Sequence, residues 1–272
     1  MAEAVERTCY RHPDRITGLS CSECGRPICT ECMTMAPVGI RCPEHAGGQR
    51  VVDRSRAFDV MAPVTRLLIG INVAVYLAEL LGGSGVNGDR GWIFEHGVLY
   101  GPLVQAGDWW RLITSAFMHY GPFHLLINMY GLYFAGTLLE RAIGHWRFLL
   151  LYLASGLSGS AGALVYDALT NRTSLALGAS GALFGILGAL FVLERKGHLR
   201  TEGQIAGLIV INLVFTFAFA RFISVGGHVG GLIGGIVAMF LLTTLRGRPA
   251  LGTAALVGVG AAAVVVAYSV PL

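Results

Sequence analysis

Two polar side chains within otherwise apolar sequence could form a hydrolytic pair. Ser180 lies in the segment Gly178-Ala179-Ser180-Gly181, and His228 follows two glycines at 226–227. A serine hydroxyl becomes a nucleophile when a base takes its proton, and a neutral imidazole is such a base. Neither of the apolar runs that hold them, 180–193 and 227–245, contains Asp or Glu. The residues therefore predict a Ser–His dyad, because a triad would lack its acid.

Further polar side chains open an earlier apolar run. His119 is followed by His124 and Asn128, which are four residues apart and so share one face of a helix. Glycines at 178, 181, 185 and 188, and at 227, 231 and 235, also recur at helical spacing. Helix faces lined by glycine let two backbones approach closely. We therefore expect Ser180 Oγ to lie within about 2.6–3.2 Å of the His228 ring.

All six cysteines lie before residue 43, in four short pairs that include two histidines. Two-residue spacing lets both side chains of a pair reach one tetrahedral Zn²⁺, which prefers thiolate and imidazole ligands. Disulfides are disfavoured in a reducing compartment and would leave the histidines unexplained. We therefore predict two zinc ions, although ligand counting does not decide which pairs combine. The predicted ligands are Cys9, His12, Cys21, Cys24, Cys29, Cys32, Cys42 and His45.

The composition excludes an ordinary soluble globule. Of the 272 residues, 54% are hydrophobic and 13% are charged, and the mean hydropathy is +0.63. Because about 20 apolar residues span a bilayer, we searched for such stretches and found seven. They are 64–82, 122–139, 147–167, 180–193, 204–221, 227–245 and 250–270. The sequence therefore predicts an all-α polytopic membrane protein in contact with the lipid bilayer, and no basic cluster suggests nucleic acid.

The distribution of charge predicts the orientation. Residues 1–6 are acidic and the first long apolar run begins near Pro63, so no cleavable signal is expected and the N-terminus is predicted to be cytoplasmic. Seven crossings then put the C-terminus outside the cell membrane, whether plasma or inner. The inner segments hold eleven Lys or Arg against four in the outer segments, as the positive-inside rule requires. Ser180, His124 and His228 then lie at a similar depth near the outer face.

These motifs together resemble the rhomboid family of intramembrane serine proteases, over about 64–245. Five separate elements occur in order at the ends of the predicted helices. They are Trp110-Arg111, His119 with His124 and Asn128, Glu140-Arg141 with Gly144, Gly178-x-Ser180-Gly181, and His228 with Gly231 and Gly235. The resemblance implies a rhomboid-like bundle of six helices, with the seventh helix added at its C-terminal end.

The resemblance also implies a role for each residue of the site. Ser180 corresponds to the nucleophile of the family and His228 to its general base. The oxyanion hole and its supporting positions map onto His124, Asn128, the Ser180 backbone N–H, His119 and Gly178. The implied activity is that of an endopeptidase without a catalytic metal. Its expected substrates are single-pass membrane proteins, cleaved in their transmembrane segments near the outer membrane face.

The order of the cysteine and histidine pairs resembles that of B-box zinc-binding domains, apart from the closing Cys42-x-x-His45. This resemblance implies a cross-braced arrangement, in which the first pair combines with the third and the second with the fourth. The predicted organisation is a zinc-stabilised domain at 1–47, a basic linker at 48–62, a rhomboid core at 63–246 and a seventh helix at 247–272. The zinc domain could bind a cytoplasmic protein partner.

Two other functions remain open from the sequence. A catalytically silent rhomboid-like protein that binds clients would keep the same fold, but such proteins normally lose the serine or the histidine, and both are present here. A zinc-regulated transporter would account for the glycine-rich helices. Proteolysis of a reporter transmembrane segment by the purified protein would separate the three functions.

Overall fold

The computed structural model describes residues 7–35, 39–45, 62–199 and 201–271. The chain divides into two compact units, Met1–Val60 and Met61–Leu272. The linker predicted at 48–62, with its three arginines, lies outside the described residues except for Ala62. The finer domain limits remain predictions.

The N-terminal unit is built from two small antiparallel hairpins. Strands β1 (Thr8–Cys9) and β2 (His12–Ile16) pair with each other, as do β3 (Thr34–Met35) and β4 (Ile40–Arg41). Its buried centre consists of Ile28 and five of the six cysteines. So small an apolar core gives little stability, and domains of this size are usually stabilised by bound metal.

The second unit is mostly helical, as the apolar stretches predict. In chain order its elements are α1 (Pro63–Leu81), α2 (Trp92–Gly97), β5 (Leu99–Tyr100), α3 (Gly101–Gln105), α4 (Arg111–Thr114), a 3₁₀ turn (Ser115–Phe117), α5 (Gly121–Gly131), a π-helical segment (Leu132–Gly136), α6 (Thr137–Ile143), α7 (His145–Thr170), β6 (Leu175–Ala176), α8 (Ser180–Arg195), α9 (Gln204–Ala218), α10 (Val225–Thr244) and α11 (Pro249–Ser269). Each of the seven predicted stretches thus holds a helix.

Four of these helices, α1, α7, α10 and α11, are long and apolar enough to cross a membrane by length and composition. The second predicted stretch runs on as α5, the π-helical segment and α6, up to the turn at Gly144, whose φ is 86°. Helix α8 has 16 residues and α9 has 15, so at about 1.5 Å per residue each is shorter than a bilayer core of about 30 Å. With four helices of sufficient length and apolar composition, the protein is a multi-pass membrane protein.

Glycines set the packing of the helices around the site. A Cβ on Gly231 of α10 would lie 1.9 Å from the carbonyl oxygen of Gly181 on α8. A Cβ on Gly235 would lie 2.0 Å from the carbonyl oxygen of Gly185. On another face of α10, a Cβ on Gly162 of α7 would lie 2.4 Å from the carbonyl oxygen of Gly226. The close helix approach that the glycine spacing predicts is therefore present, and it brings the starts of α8 and α10 together.

Glu140 fixes the start of α1 against α6. Its buried carboxylate accepts hydrogen bonds from the backbone N–H groups of Val64 and Thr65, at 3.0 and 2.7 Å, and from the Thr65 hydroxyl at 2.7 Å. The ring of His145 contacts the same carboxylate at 2.6 Å. The first N–H groups of a helix have no partner within the helix. Glu140 supplies that partner for α1 and at the same time joins α1 to α6.

Candidate functional site

Ser180 is the first residue of α8, and the backbone before it is held by a short strand pair. Strand β6 pairs antiparallel with β5, with Ala176 opposite Leu99. Gly178 then has a φ of 120° and donates its N–H to the carbonyl of Ser115 at 2.9 Å. This φ favours glycine, and a Cβ there would lie 2.7 Å from Cε1 of His124. Ser180 is thus presented from a fixed, non-helical segment.

Asp167 fixes the loop that leads into β6. This residue lies near the end of α7, is 4% exposed, and accepts from the backbone N–H of Ser174 at 2.9 Å and from its hydroxyl at 2.7 Å. Sequence reasoning did not single out Asp167. An acidic residue in the last turn of a long apolar helix, seven residues before a serine, was the available signal.

His228 lies in the first turn of α10 and contacts the serine directly. The distance from its Nε2 to Ser180 Oγ is 2.8 Å, inside the range expected from the glycine spacing. Ser224 caps this helix, since its side chain accepts from the N–H of Gly227 at 3.1 Å. The Phe184 ring stacks on the imidazole, with the centroids 4.1 Å apart and an angle of 21° between the planes. Helix capping and ring stacking therefore fix both the place and the plane of the imidazole.

A third helix reaches the other nitrogen of this ring. Nδ1 of His228 lies 2.7 Å from Oγ1 of Thr216 on α9. Both side chains are buried, with 1% of Thr216 and 8% of His228 exposed. Sequence reasoning missed Thr216. The signal was that Asn212 and Thr216 are the two polar side chains within 205–218 and lie four residues apart.

His124 lies against the same backbone as Ser180. Its Nδ1 accepts the backbone N–H of Tyr120 at 3.3 Å, so a neutral ring carries its proton on Nε2. A Cβ on Gly178 would lie 2.9 Å from that Nε2, which places the N–H beside the residues that precede the serine. A hydrogen-bond donor at this position could meet negative charge on a substrate oxygen.

The two remaining polar residues of the prediction pack around His124. Asn128 is 3% exposed and donates from Nδ2 to the carbonyl of His124 at 2.9 Å. An amide nitrogen carries two hydrogens, so this bond uses one of its two donors. The His119 ring is fully buried with its centroid 5.2 Å from that of His124, and its nitrogens have no hydrogen-bond partner among the described residues. The structure therefore brings His119, His124, Asn128 and Gly178 together.

A small cavity of about 40 Å³ lies beside Ser180. Small side chains form most of its wall, which is contributed by β5, by the 3₁₀ turn, by α7, by the segment before Ser180 and by the starts of α8 and α10. The lining residues include Ser115, Gly156, Gly159, Ser160, Ala163, Ala176, Gly178, Gly181, Ser224 and Gly227. Apart from Leu99 and Leu177 the lining side chains are small, which leaves room for a small group next to the hydroxyl.

The N-terminal unit brings its eight predicted ligands into two groups. One group is Cys9, His12, Cys29 and Cys32, and the other is Cys21, Cys24, Cys42 and His45, with the ligand atoms of each within 4.8 Å of one another. The first pair thus combines with the third and the second with the fourth, as the B-box resemblance implies. Within residues 7–35 and 39–45 no cysteine forms a disulfide.

The distances within these groups suit a tetrahedral ion. Zn–S bonds of about 2.3 Å and Zn–N bonds of about 2.0–2.1 Å give S···S edges of about 3.8 Å and N···S edges of about 3.6 Å. Nδ1 of His12 lies 3.4 Å from Sγ of both Cys29 and Cys32, and Cys24 Sγ lies 3.8 Å from Cys42 Sγ. Both groups could therefore hold a metal ion with four protein ligands, which is the form of a structural site.

Hydrogen bonds from backbone N–H groups lower the pKa of at least one thiol in each group. Burial acts to raise the pKa of the Cys9 thiol, but hydrogen bonds from the backbone of Arg11 and Cys29 outweigh it and lower the pKa to about 6. The pKa of Cys21 is likewise lowered to about 6, because burial is outweighed by the backbone of Cys24 and Cys42. A thiolate is the form that binds metal, so each group offers one at neutral pH.

Comparison with known proteins places this site in a family. Residues 106–245 match the model of the Rhomboid domain. The chain is 38% identical over 178 residues to Rhomboid protease GluP of Bacillus subtilis (strain 168), covering 64% of this chain and 34% of that protein. It is 36% identical over 150 residues to Putative rhomboid protease YdcA of the same organism, covering 53% and 73%.

A plant relative carries a different description. The chain is 33% identical over 143 residues to Inactive RHOMBOID-like protein 8 of Arabidopsis thaliana, covering 50% of this chain and 40% of that protein. The chain spans about a third of the length of GluP and of RHOMBOID-like protein 1 of Arabidopsis thaliana, at 34% and 36%. Similar sequences thus include proteins described as proteases and one described as inactive.

Proposed function

The chain belongs to the rhomboid family, and we propose that it is an intramembrane serine endopeptidase whose nucleophile is Ser180 and whose general base is His228. The observation that carries this proposal is the 2.8 Å contact between His228 Nε2 and Ser180 Oγ. Nucleophile and base within hydrogen-bond reach, with the base oriented by further groups, is the arrangement that covalent hydrolysis requires.

The proposed reaction proceeds through an acyl-enzyme. Ser180 Oγ attacks the carbonyl carbon of the scissile peptide bond while His228 Nε2 takes the hydroxyl proton. Charge then develops on the carbonyl oxygen, where the Ser180 backbone N–H, the Nε2–H of His124 and the free amide N–H of Asn128 are the proposed donors. His228 returns the proton to the leaving amine as the C–N bond breaks. Water then attacks the ester carbon while His228 Nε2 takes a proton from it, and the ring gives that proton to Ser180 Oγ as the C–O bond breaks and the carboxylic acid leaves.

The proposed substrates are single-pass membrane proteins, cleaved in or beside their transmembrane segments near the outer membrane face. Ser180 begins a 16-residue helix, so the segment before it lies below the surface of a bilayer about 30 Å thick. Irregular backbone at such depth is tolerated where it lines a wet cavity. The cavity of about 40 Å³ beside Ser180 favours a small side chain on the substrate residue whose carbonyl is attacked. We place the protein in the cell membrane, plasma or inner, with its N-terminus cytoplasmic and its C-terminus outside.

The proposed metal content is two structural zinc ions in the N-terminal unit and none for catalysis. Each Cys3His group supplies four protein ligands, which leaves no open position for a substrate or a water. The role proposed for this unit is therefore regulation or recruitment of a cytoplasmic protein partner. The corresponding domains are those predicted from the sequence, 1–47 for zinc and 63–246 for proteolysis, with the seventh helix at 247–272.

The test is cleavage of a reporter transmembrane segment by the purified protein in detergent, together with labelling by a fluorophosphonate. The wild type should cleave and be labelled, and Ser180→Ala should do neither. Ser158→Ala is the matched control, since that hydroxyl bonds to the carbonyl of Ala154 within α7 at 2.8 Å, and it should behave as the wild type. Cleavage by Ser180→Ala would refute the proposal, and a folded wild type that neither cleaves nor labels would favour client binding or transport.

A further inference from the structure

Thr216 occupies a position that differs from the rest of its helix. The α9 side chains around it are apolar and largely exposed, with 57% of Phe215 and 59% of Phe217 accessible. Thr216 is 1% exposed, and its hydroxyl meets the imidazole of His228 at 2.7 Å. Packing alone does not explain why a helix with an apolar, exposed surface carries a buried hydroxyl in contact with a ring nitrogen.

The hydrogen bonds around this hydroxyl fix the tautomer of the imidazole. Oγ1 of Thr216 also lies 2.7 Å from the backbone carbonyl oxygen of Asn212. A carbonyl oxygen can only accept, so the single hydroxyl proton points towards Asn212. The contact with His228 must then be an Nδ1–H donating to the lone pair of the threonine oxygen. The proton of the neutral ring therefore sits on Nδ1, and Nε2 is left free to accept from Ser180.

We propose that Thr216 is a positioning residue for the base, an inference that rests on the proposed function of the dyad. The Thr216 hydroxyl selects the tautomer of His228 whose Nε2 can take the serine proton. Stacking on Phe184 fixes the plane of the imidazole but not its rotation within that plane, and the bond from Nδ1 to Thr216 fixes that rotation. When Nε2 takes the proton the ring becomes a cation, and the Nδ1–H bond to Thr216 becomes charge-assisted and stronger. The hydroxyl thus performs from α9 the orienting task for which residues 180–193 of α8 and the whole of α10 provide no carboxylate.

A positioning role predicts a particular kinetic signature. Thr216 is not among the described residues that line the cavity beside Ser180, so its loss should leave substrate binding and KM unchanged. The rate of serine attack should fall, because a rotated or wrongly protonated ring accepts the proton less often. Removing the orienting partner of a metal-ligating histidine typically costs about 10- to 100-fold, and we expect a fall of that order in kcat.

The experiment compares Thr216→Val, which keeps the shape and removes the hydroxyl, with Thr216→Ser, which keeps the hydroxyl. Initial rates of reporter cleavage give kcat and KM, and the rate of fluorophosphonate labelling reports serine reactivity without a substrate. Thr244→Val is the matched control, because its hydroxyl bonds to the carbonyl of Phe240, four residues earlier in α10, at 2.8 Å. If Thr216→Val does not survive purification, Thr216→Ala against Thr216→Ser makes the same comparison.

The inference predicts slow labelling and low kcat at unchanged KM for Thr216→Val, near-normal rates for Thr216→Ser, and wild-type rates for Thr244→Val. Equal labelling rates for folded Thr216→Val and the wild type would overturn it while leaving the dyad intact. Equal losses in Thr216→Val and Thr216→Ser would also overturn it, because they would indicate packing. A wild type that neither labels nor cleaves would overturn the inference together with the proposed function.

Discussion

His124 and His228 lie beside the same serine in opposite tautomers. His124 accepts at Nδ1 from the backbone N–H of Tyr120 and therefore carries its proton on Nε2. His228 has Nδ1 against the Thr216 hydroxyl and Nε2 against Ser180 Oγ, so its Nε2 is the acceptor. One ring can thus give a hydrogen bond to an oxyanion while the other takes a proton from the nucleophile.

This contrast predicts different effects of removing the two rings. His228→Ala should abolish fluorophosphonate labelling of Ser180, since no other base lies at hydrogen-bond distance from the hydroxyl among the described residues. His124→Ala should retain labelling but lower kcat by about 10²–10³, the usual cost of one oxyanion donor. Labelling and reporter kinetics on the same preparations measure both. Full cleavage by His228→Ala would show that the base is misassigned.

The cavity beside Ser180 predicts a preference for small residues at the cleaved bond. A reporter with Ala at the residue whose carbonyl is attacked should be cleaved roughly 10- to 100-fold faster than one with Phe there, because a cavity of about 40 Å³ excludes the larger ring. Mass spectrometry of the products locates the cut. The same Ala-to-Phe change several residues away is the control, and equal rates for both residues at the cut would contradict the prediction.

The grouping of the zinc ligands predicts the outcome of double substitutions. Cys9 and Cys29 belong to one group and Cys42 to the other. Metal analysis of the wild type should give about two Zn²⁺ per chain, since each structural site holds one ion. Cys29→Ser alone and Cys9→Ser with Cys29→Ser should each leave one ion, whereas Cys9→Ser with Cys42→Ser should leave none. If neighbouring pairs formed the sites instead, Cys9→Ser with Cys29→Ser would lose both ions.

Acidification should release the metal. The pKa of the Cys9 thiol is about 6 in the folded unit against an ordinary value of 9.0, so the unfolded chain binds more protons between these values. The contribution of the Cys9 thiolate to the stability of the folded unit is therefore complete above pH 9 and is lost as the pH falls through about 6. In the same range protons compete with the metal ion for its ligands. A colorimetric chelator should detect zinc release on going from pH 7.5 to pH 5. Full metal retention at pH 5 would contradict this prediction.

The sequence predicted those parts of the site that depend on periodicity. The spacing of the glycines predicted that α8 and α10 approach closely, and with it the short distance between Ser180 and His228. Thr216 could not be found this way, because its contact with His228 depends on how a third helix is rotated about its axis. Strands β5 and β6 have two residues each, which is too short to show any alternation. The choice between the two zinc pairings likewise depends on the path of the backbone in three dimensions, which a count of the ligands does not reveal.

The backbone contact between α8 and α10 also limits which sequences this protein can tolerate. Every amino acid other than glycine carries a Cβ, so any missense change at Gly231 or Gly235 puts a carbon within 2.0 Å of a carbonyl oxygen. In a saturation mutagenesis scan read out by reporter cleavage, both positions should accept no replacement. Gly207 and Gly258, where a Cβ would meet nothing within 4 Å, should accept alanine freely. Natural sequence variation in this protein should therefore spare Gly231 and Gly235.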